Sequence, residues 1–236
     1  MWLLLLACQT PEPPPLQVYA ASSLSAVLPE VAEQAGVGEV EFSFDASSRL
    51  AAQVSAGAPV DLLFTADEAS MDGVSYWMEP QSRFSLLSNA LVLVVPVSAA
   101  WTPANVEDLR NPALQRLGLA GENVPAGKYA QAALEHFDVW TRVEPQVVRA
   151  DNVRTALAWA ARGEVDAAMV YATDARVEPG VKVAISFPTD SHPPIRYPVA
   201  RSKAAADPER VDKLLDYLKS AEARAVFERA GFTVLP

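Results

Sequence analysis

The chain of 236 residues holds one cysteine, Cys8, and two histidines, His136 and His192. A single cysteine excludes an internal disulfide and argues against thiol catalysis. A zinc site wants three or four His, Cys or carboxylate ligands at close spacing, and no such grouping occurs. His136 falls on a charged helical stretch and His192 in the loop DSHPP, where ordinary surface or loop roles account for both. The sequence contains no G-x-S-x-G turn, no Walker loop and no G-x-G-x-x-G fingerprint. Carboxylates are plentiful, yet no acid pair stands in an apolar setting of the kind general acid–base work needs. These gaps argue against an enzyme. Basic charge is short as well: 19 Lys and Arg stand against 29 Asp and Glu, a net charge of −10. That balance argues against nucleic acid as a partner and against long-range steering of anions. If an anion binds, donors in contact with it must hold it. Long hydrophobic runs are missing too, since the opening MWLLLLAC is too short to span a bilayer.

What remains is a globular composition, half hydrophobic and rich in Ala and Val, with enough length for a sizeable core in one or two domains. Leu5-Leu6-Ala7-Cys8 has the form of a bacterial lipobox, in which Cys8 would be lipidated and become the mature N-terminus. No Lys or Arg precedes the run, as a signal peptide requires, and a start placed too far downstream would account for that. Residues 9–15, QTPEPPP, read as a semi-rigid tether. The expectation is a lipoprotein signal and tether over residues 1–15, anchoring the protein in the periplasm or at the cell exterior.

The stretch LQVYAASSLSAVL, residues 16–28, organises the rest. A short buried strand runs through Ala20-Ala21 and Ser22-Ser23 into a helical pattern beginning at Leu24. Small residues there leave the first N–H groups of the helix free, and the positive end of the helix favours an anion. A serine before a helix is also the commonest N-cap. Pro29 should kink or split this helix, and Gly36 stops it. The device recurs: strand VEFSF, turn Asp45-Ala46-Ser47-Ser48, and a helix over residues 49–55. Strands follow at 61–64 and 90–95, with a helix over 67–78 between them. In the second half, strands are expected at 116–120, 147–150, 167–171, 181–187 and 196–200. Val124 to Gly127 reads as a turn leading into a helix through about Phe137, and helices are expected over 153–161 with Asp151 as N-cap, and over 208–219 and 221–229. Gly127 would let the backbone approach a ligand. The alternation predicts an α/β fold with a largely parallel sheet, and ligands in such sheets sit beyond the carboxyl ends of the strands. The donors at those ends are Ser23, Ser47, the amides near Ala126 and Val153, and the phenol of Tyr171. Each has an ordinary structural role open to it; together they suit a tetrahedral oxyanion held between two lobes.

These residues lie in VYAASSLSAVLPEVA, FDASSRLAAQVSAGAPVDLLFTAD, NALVLVVP, ENVPAGKYAQAAL, DNVRTALAWAARGEVDAAMVYATDA and FPTDSHPPIRYPVA. In this collinear set the chain resembles the periplasmic molybdate-binding proteins of ABC importers (ModA type, within the type-2 periplasmic binding proteins). The resemblance implies two α/β lobes with mixed, mostly parallel sheets and a hinge between them. Lobe 1 would comprise residues 16–95 plus 201–236, and lobe 2 residues 96–200. It implies capture of molybdate, and of tungstate, through Ser23, Ser47, Ala126, Val153 and Tyr171, without a cofactor. It further implies a monomer that partners a permease and an ATPase. Asp45 departs from the small neutral residue expected at its position; a carboxylate near a dianion costs energy unless paired, and Arg49, four residues on, could pair with it. The alternatives are a sulfate or phosphate binder, with Asp45 accepting a phosphate proton, and a serine hydrolase using Ser23 or Ser47.

Overall fold

A computed structural model describes residues 13–236. Cys8, and with it the lipobox and the first part of the tether, lies outside the described residues. Among those residues no helix is long and apolar enough to cross a membrane.

In chain order the strands and helices of the first half are β1 (Leu16–Ala21), α1 (Leu28–Ala35), β2 (Val40–Asp45), α2 (Ser47–Ser55), β3 (Leu62–Phe64), α3 (Glu68–Asp72), β4 (Phe84–Ser88), β5 (Leu91–Pro96) and β6 (Leu117–Ala120). The second half adds α4 (Pro125–His136), α5 (Trp140–Val143), β7 (Val147–Ala150), α6 (Val153–Ala161), β8 (Ala167–Tyr171), α7 (Ala172–Arg176), β9 (Val181–Ser186), β10 (Tyr197–Arg201), α8 (Pro208–Leu218), α9 (Ala221–Ala230) and β11 (Thr233–Val234). The helix expected from Leu24 is split, as Pro29 requires. Ser22–Leu24 form one turn of 3-10 helix, and α1 begins with Pro29 in its first turn, where a missing N–H costs nothing. It ends at Gly36 in the left-handed conformation, φ 60°.

The strands form two sheets, ordered β11-β4-β10-β3-β1-β2 and β7-β6-β8-β5-β9. Each has a parallel heart, β3-β1-β2 in the first and β7-β6-β8 in the second. Antiparallel strands flank both: β10, β4 and β11 in the first, β5 and β9 in the second. The sheets are therefore mixed, with a smaller parallel share than the strand–helix alternation implies. Both passes between the lobes also fall elsewhere than expected. All six residues of β5 are buried, and its ladders join the second sheet, so residues 91–95 belong there and not to lobe 1. Residues 197–200 pair with β3 and β4 of the first sheet rather than belonging to lobe 2. The chain crosses at residues 89–90 and again at 187–196. One apolar cluster runs through both lobes, from Val18 and Leu62 to Leu93, Leu119 and Met169. A smaller cluster, Leu50, Val54, Leu63 and Met71 among others, sits beneath α2.

Candidate functional site

The carboxyl ends of both parallel hearts face a small cavity between the lobes. Ala21, Ser22, Ser23, Asp45, Ala46, Ser47 and Ala66 line it from one side, and Val124, Pro125, Ala126, Val153 and Tyr171 from the other. All five residues expected as donors are brought together. The cavity is small, about 10 Å³, and hydrogen bonds from Tyr129 to the Ala66 oxygen and from Asn152 to Asp45 join the two lobes beside it.

Three helices point their N-termini at this space. Ser47 is the first residue of α2, Ala126 the second of α4 and Val153 the first of α6. Their N–H groups have no partner within their own helices. Each N-terminus carries about +0.5 of an elementary charge, so three supply about +1.5 without a cation. Among the described residues, Asp45 is the only charged one in the lining. The Ser22–Ser23 turn differs from the other three, because it is a 3-10 turn and not the start of an α-helix. It offers hydroxyls and amides without a macrodipole behind them.

The hydroxyls are held from behind. Ser47 Oγ accepts from the Ala66 N–H at 2.9 Å, which leaves the Ser47 proton free to point into the cavity. Ser23 Oγ and the Tyr197 phenol lie 3.0 Å apart, and Asn89 Nδ2 donates to the Tyr197 oxygen at 3.3 Å and to Thr173 Oγ1 at 2.8 Å. Tyr171 is 1% exposed, and its hydroxyl has no hydrogen-bond partner among the described residues. Burial, reinforced by Tyr197, Tyr129, Asp174 and Asp67, pushes its pKa well above the ordinary value. The phenol stays protonated and remains a donor.

A buried ion pair supports the second lobe's donors. Arg154 Nε, next to Val153, lies 2.7 Å from Asp174 Oδ1, three residues after Tyr171, although its N–H is not aligned for a hydrogen bond. Asp174 is fully buried, and desolvation lifts its carboxyl pKa to about 6 despite the neighbouring Arg154 guanidinium.

Asp45 has neighbours of its own. Its Oδ1 accepts from the Ala46 N–H at 2.7 Å and from Asn152 Nδ2 at 3.3 Å. Arg49 Nη1 lies 3.8 Å from its Oδ2, which is the pairing the sequence predicts. The cap of α6 is Asn152, not Asp151: Asn152 Oδ1 accepts from the Thr155 N–H at 3.1 Å, while Asp151 accepts from Arg49 Nη2 at 2.5 Å. Gly127 also serves a different end than expected. A Cβ there would lie 2.2 Å from the Gly121 oxygen and 2.4 Å from that of Ala120, so glycine is needed to seat α4 on the end of β6 rather than to admit a ligand. Neither histidine lines the cavity. His192 is buried rather than at the surface, with Nδ1 2.8 Å from the Pro193 oxygen and its ring against Tyr129. Sequence reasoning missed Tyr129, whose hydroxyl donates to the Ala66 oxygen across the lobes at 3.2 Å; its place in ENVPAGKY, one helical turn past Pro125, was the available signal.

Residues 16–233 match the family model described as bacterial extracellular solute-binding protein. The chain is 37% identical over 230 residues to the molybdate-binding protein ModA of Escherichia coli, covering 93% of this chain and 89% of that one. It is 35% identical over 226 residues to ModA of Haemophilus influenzae, covering 92% and 89%. The periplasmic molybdate-binding protein of Azotobacter vinelandii has the same fold, with a TM-score of 0.83 at 23% identity over 94% of this chain and 99% of that one.

Proposed function

From the premise that the chain belongs to the bacterial extracellular solute-binding proteins, we propose that it captures molybdate between its lobes and delivers it to an ABC importer. The observation that carries the reading is the convergence of three helix N-termini, the Ser22–Ser23 turn and a buried neutral phenol on one cavity. A fully deprotonated tetrahedral dianion accepts hydrogen bonds on every side, and this lining donates from every side. Ser23 and Ser47 give hydroxyls, Ala126 and Val153 give amides, and Tyr171 gives its phenol.

Hydrogen phosphate brings a proton that needs an acceptor. Asp45 is the carboxylate in the lining: its Oδ1 already takes two donors and its Oδ2 faces the Arg49 guanidinium at 3.8 Å, and a proton left unpaired costs about 1–3 kcal/mol. Sulfate has the charge of molybdate and a smaller radius, so donors fixed at helix starts reach it poorly. Tungstate matches molybdate in charge and size and binds alongside it. Hydrolysis would need a base beside Ser23 or Ser47, and neither histidine lines the cavity. The protein acts as a monomer that closes on its ligand by hinge motion and hands it to a permease driven by an ATPase. Cys8 carries the lipid that holds it to the membrane.

The test is a thermal-shift series on residues 11–236 with molybdate, tungstate, sulfate and phosphate. A ligand at about 100 times its dissociation constant adds about 2.7 kcal/mol to stability. Large shifts with molybdate and tungstate alone are expected. A comparable shift with sulfate or phosphate would keep the anion trap and overturn the choice of anion.

A further inference from the structure

We propose that Arg49 is a charge bridge that lets an acidic cleft mouth close over a dianion, which makes it a positioning residue for capture; the proposal rests on the anion-binding reading above. Asp45, at the end of β2, lines the cavity from the first lobe. Asp151, between β7 and α6, approaches from the second. Closure brings both carboxylates to one guanidinium: Arg49 Nη2 donates to Asp151 at 2.5 Å, and Arg49 Nη1 lies 3.8 Å from Asp45. Asn152 closes the circuit from the second lobe by donating to Asp45 at 3.3 Å. Without the arginine, two carboxylates and the captured dianion would have to approach with no positive side chain among the residues that line the cavity.

The contacts divide cleanly by lobe. Arg49 and Asp45 are four residues apart at the start of α2, so their contact survives opening. Arg49–Asp151 and Asn152–Asp45 span the lobes, so opening breaks both. The bridge therefore favours the closed form and retards release of the ligand. Arg49 and Asp151 side chains are 50% and 67% exposed, so solvent and salt screen the effect. Their exposure also leaves the fold indifferent to their removal. Arg49 does not line the cavity; it acts through the carboxylates.

The experiment measures molybdate affinity by calorimetry at low and high NaCl for the wild type, Arg49→Ala, the double variant Asp45→Asn/Asp151→Asn, and the triple variant. Exposed pairs are worth up to about fivefold each, and the exposed like charges add to the loss. Arg49→Ala should weaken binding about tenfold at low salt and less than about threefold at 0.5 M NaCl. The double variant, which removes the carboxylate of the lining together with Asp151, should bind more tightly than the wild type at low salt, and adding Arg49→Ala to it should change affinity by less than about twofold. An undiminished loss in the triple variant would mean that Arg49 attracts the anion directly and would overturn the bridge. So would an Arg49→Ala protein that binds like the wild type at low salt. A wild type that binds none of the four oxyanions would instead overturn the anion reading.

Discussion

The two lobes meet the cavity with different chemistry. The first offers serine hydroxyls, each held by a partner in its own lobe: Ser47 by the Ala66 N–H and Ser23 by the Tyr197 phenol. The second offers backbone amides at the starts of α4 and α6, and a phenol with no hydrogen-bond partner among the described residues. Hydroxyls can be deleted by trimming a side chain; an amide N–H yields only to proline. The first lobe's hydroxyls are also part of its hydrogen bonding, whereas the Tyr171 hydroxyl has no hydrogen-bond partner among the described residues, although its ring packs on Tyr197. Function and stability should therefore be coupled in the first lobe and separable in the second.

The sharpest way to break this comparison is at Val153. Proline is tolerated at the first position of a helix and removes the N–H, and Asn152 already has the extended backbone, φ −152° and ψ 176°, that a residue before proline prefers. Val153→Pro should weaken molybdate binding by about 10- to 100-fold, the worth of one hydrogen bond to a charged group. Val153→Ala keeps the amide and should stay within about threefold on the same reasoning. Calorimetric titration of both decides it, and equal losses would show that the side chain, not the amide, matters.

Next in size is Ser47→Ala, which should cost twice. Affinity should fall about tenfold, and the ligand-free protein should lose about 1–3 kcal/mol because the Ala66 N–H is left buried without its partner. Denaturant melts of the ligand-free protein report the second loss; unchanged stability would remove the coupling claimed for the first lobe. Tyr171→Phe should behave in the opposite way, with affinity about tenfold weaker and the ligand-free protein no less stable, even about 1 kcal/mol more so. A destabilised Tyr171→Phe protein would show that the phenol has a structural partner.

The smallest effect concerns Asp174. Its carboxyl is protonated below about pH 6 in the folded protein but stays ionised to far lower pH in the unfolded chain. The folded state thus binds more protons in that window, and this group's contribution to stability falls as pH rises through it. Relative to Asp174→Asn, the wild type should gain about 1 kcal/mol of stability on going from pH 7 to pH 5. Melts of the two proteins at both pH values check this, and parallel curves would contradict it.

Much of the donor set was legible because it sits where strand patterns meet small residues. The misplacements have physical causes of longer range. Asp151 and Asn152 are both good caps, and Arg49, 102 residues away, selects between them by drawing Asp151 outward. Gly127 is marked in the sequence, but whether a glycine approaches a ligand or a neighbouring carbonyl depends on β6, which the local pattern does not contain. The apolar run of β5 announces a buried strand without saying which sheet buries it. The strand β4, FSLLS, and the two-residue β11 carry too little pattern to stand apart from their surroundings. Ser22-Ser23 reads as a helix start until Pro29 moves that start to Leu28.

The sheet orders also bear on how the molecule is made. The five strands of the second sheet come from one unbroken stretch, residues 91–186, whereas the first sheet needs β1 at residue 16 and β11 at residue 234. A chain that emerges N-terminus first completes the inserted lobe before the lobe begun earlier has its last strands. The parallel heart of that first lobe, β1 to β3, must stay soluble until more than a hundred further residues, up to β10, have emerged.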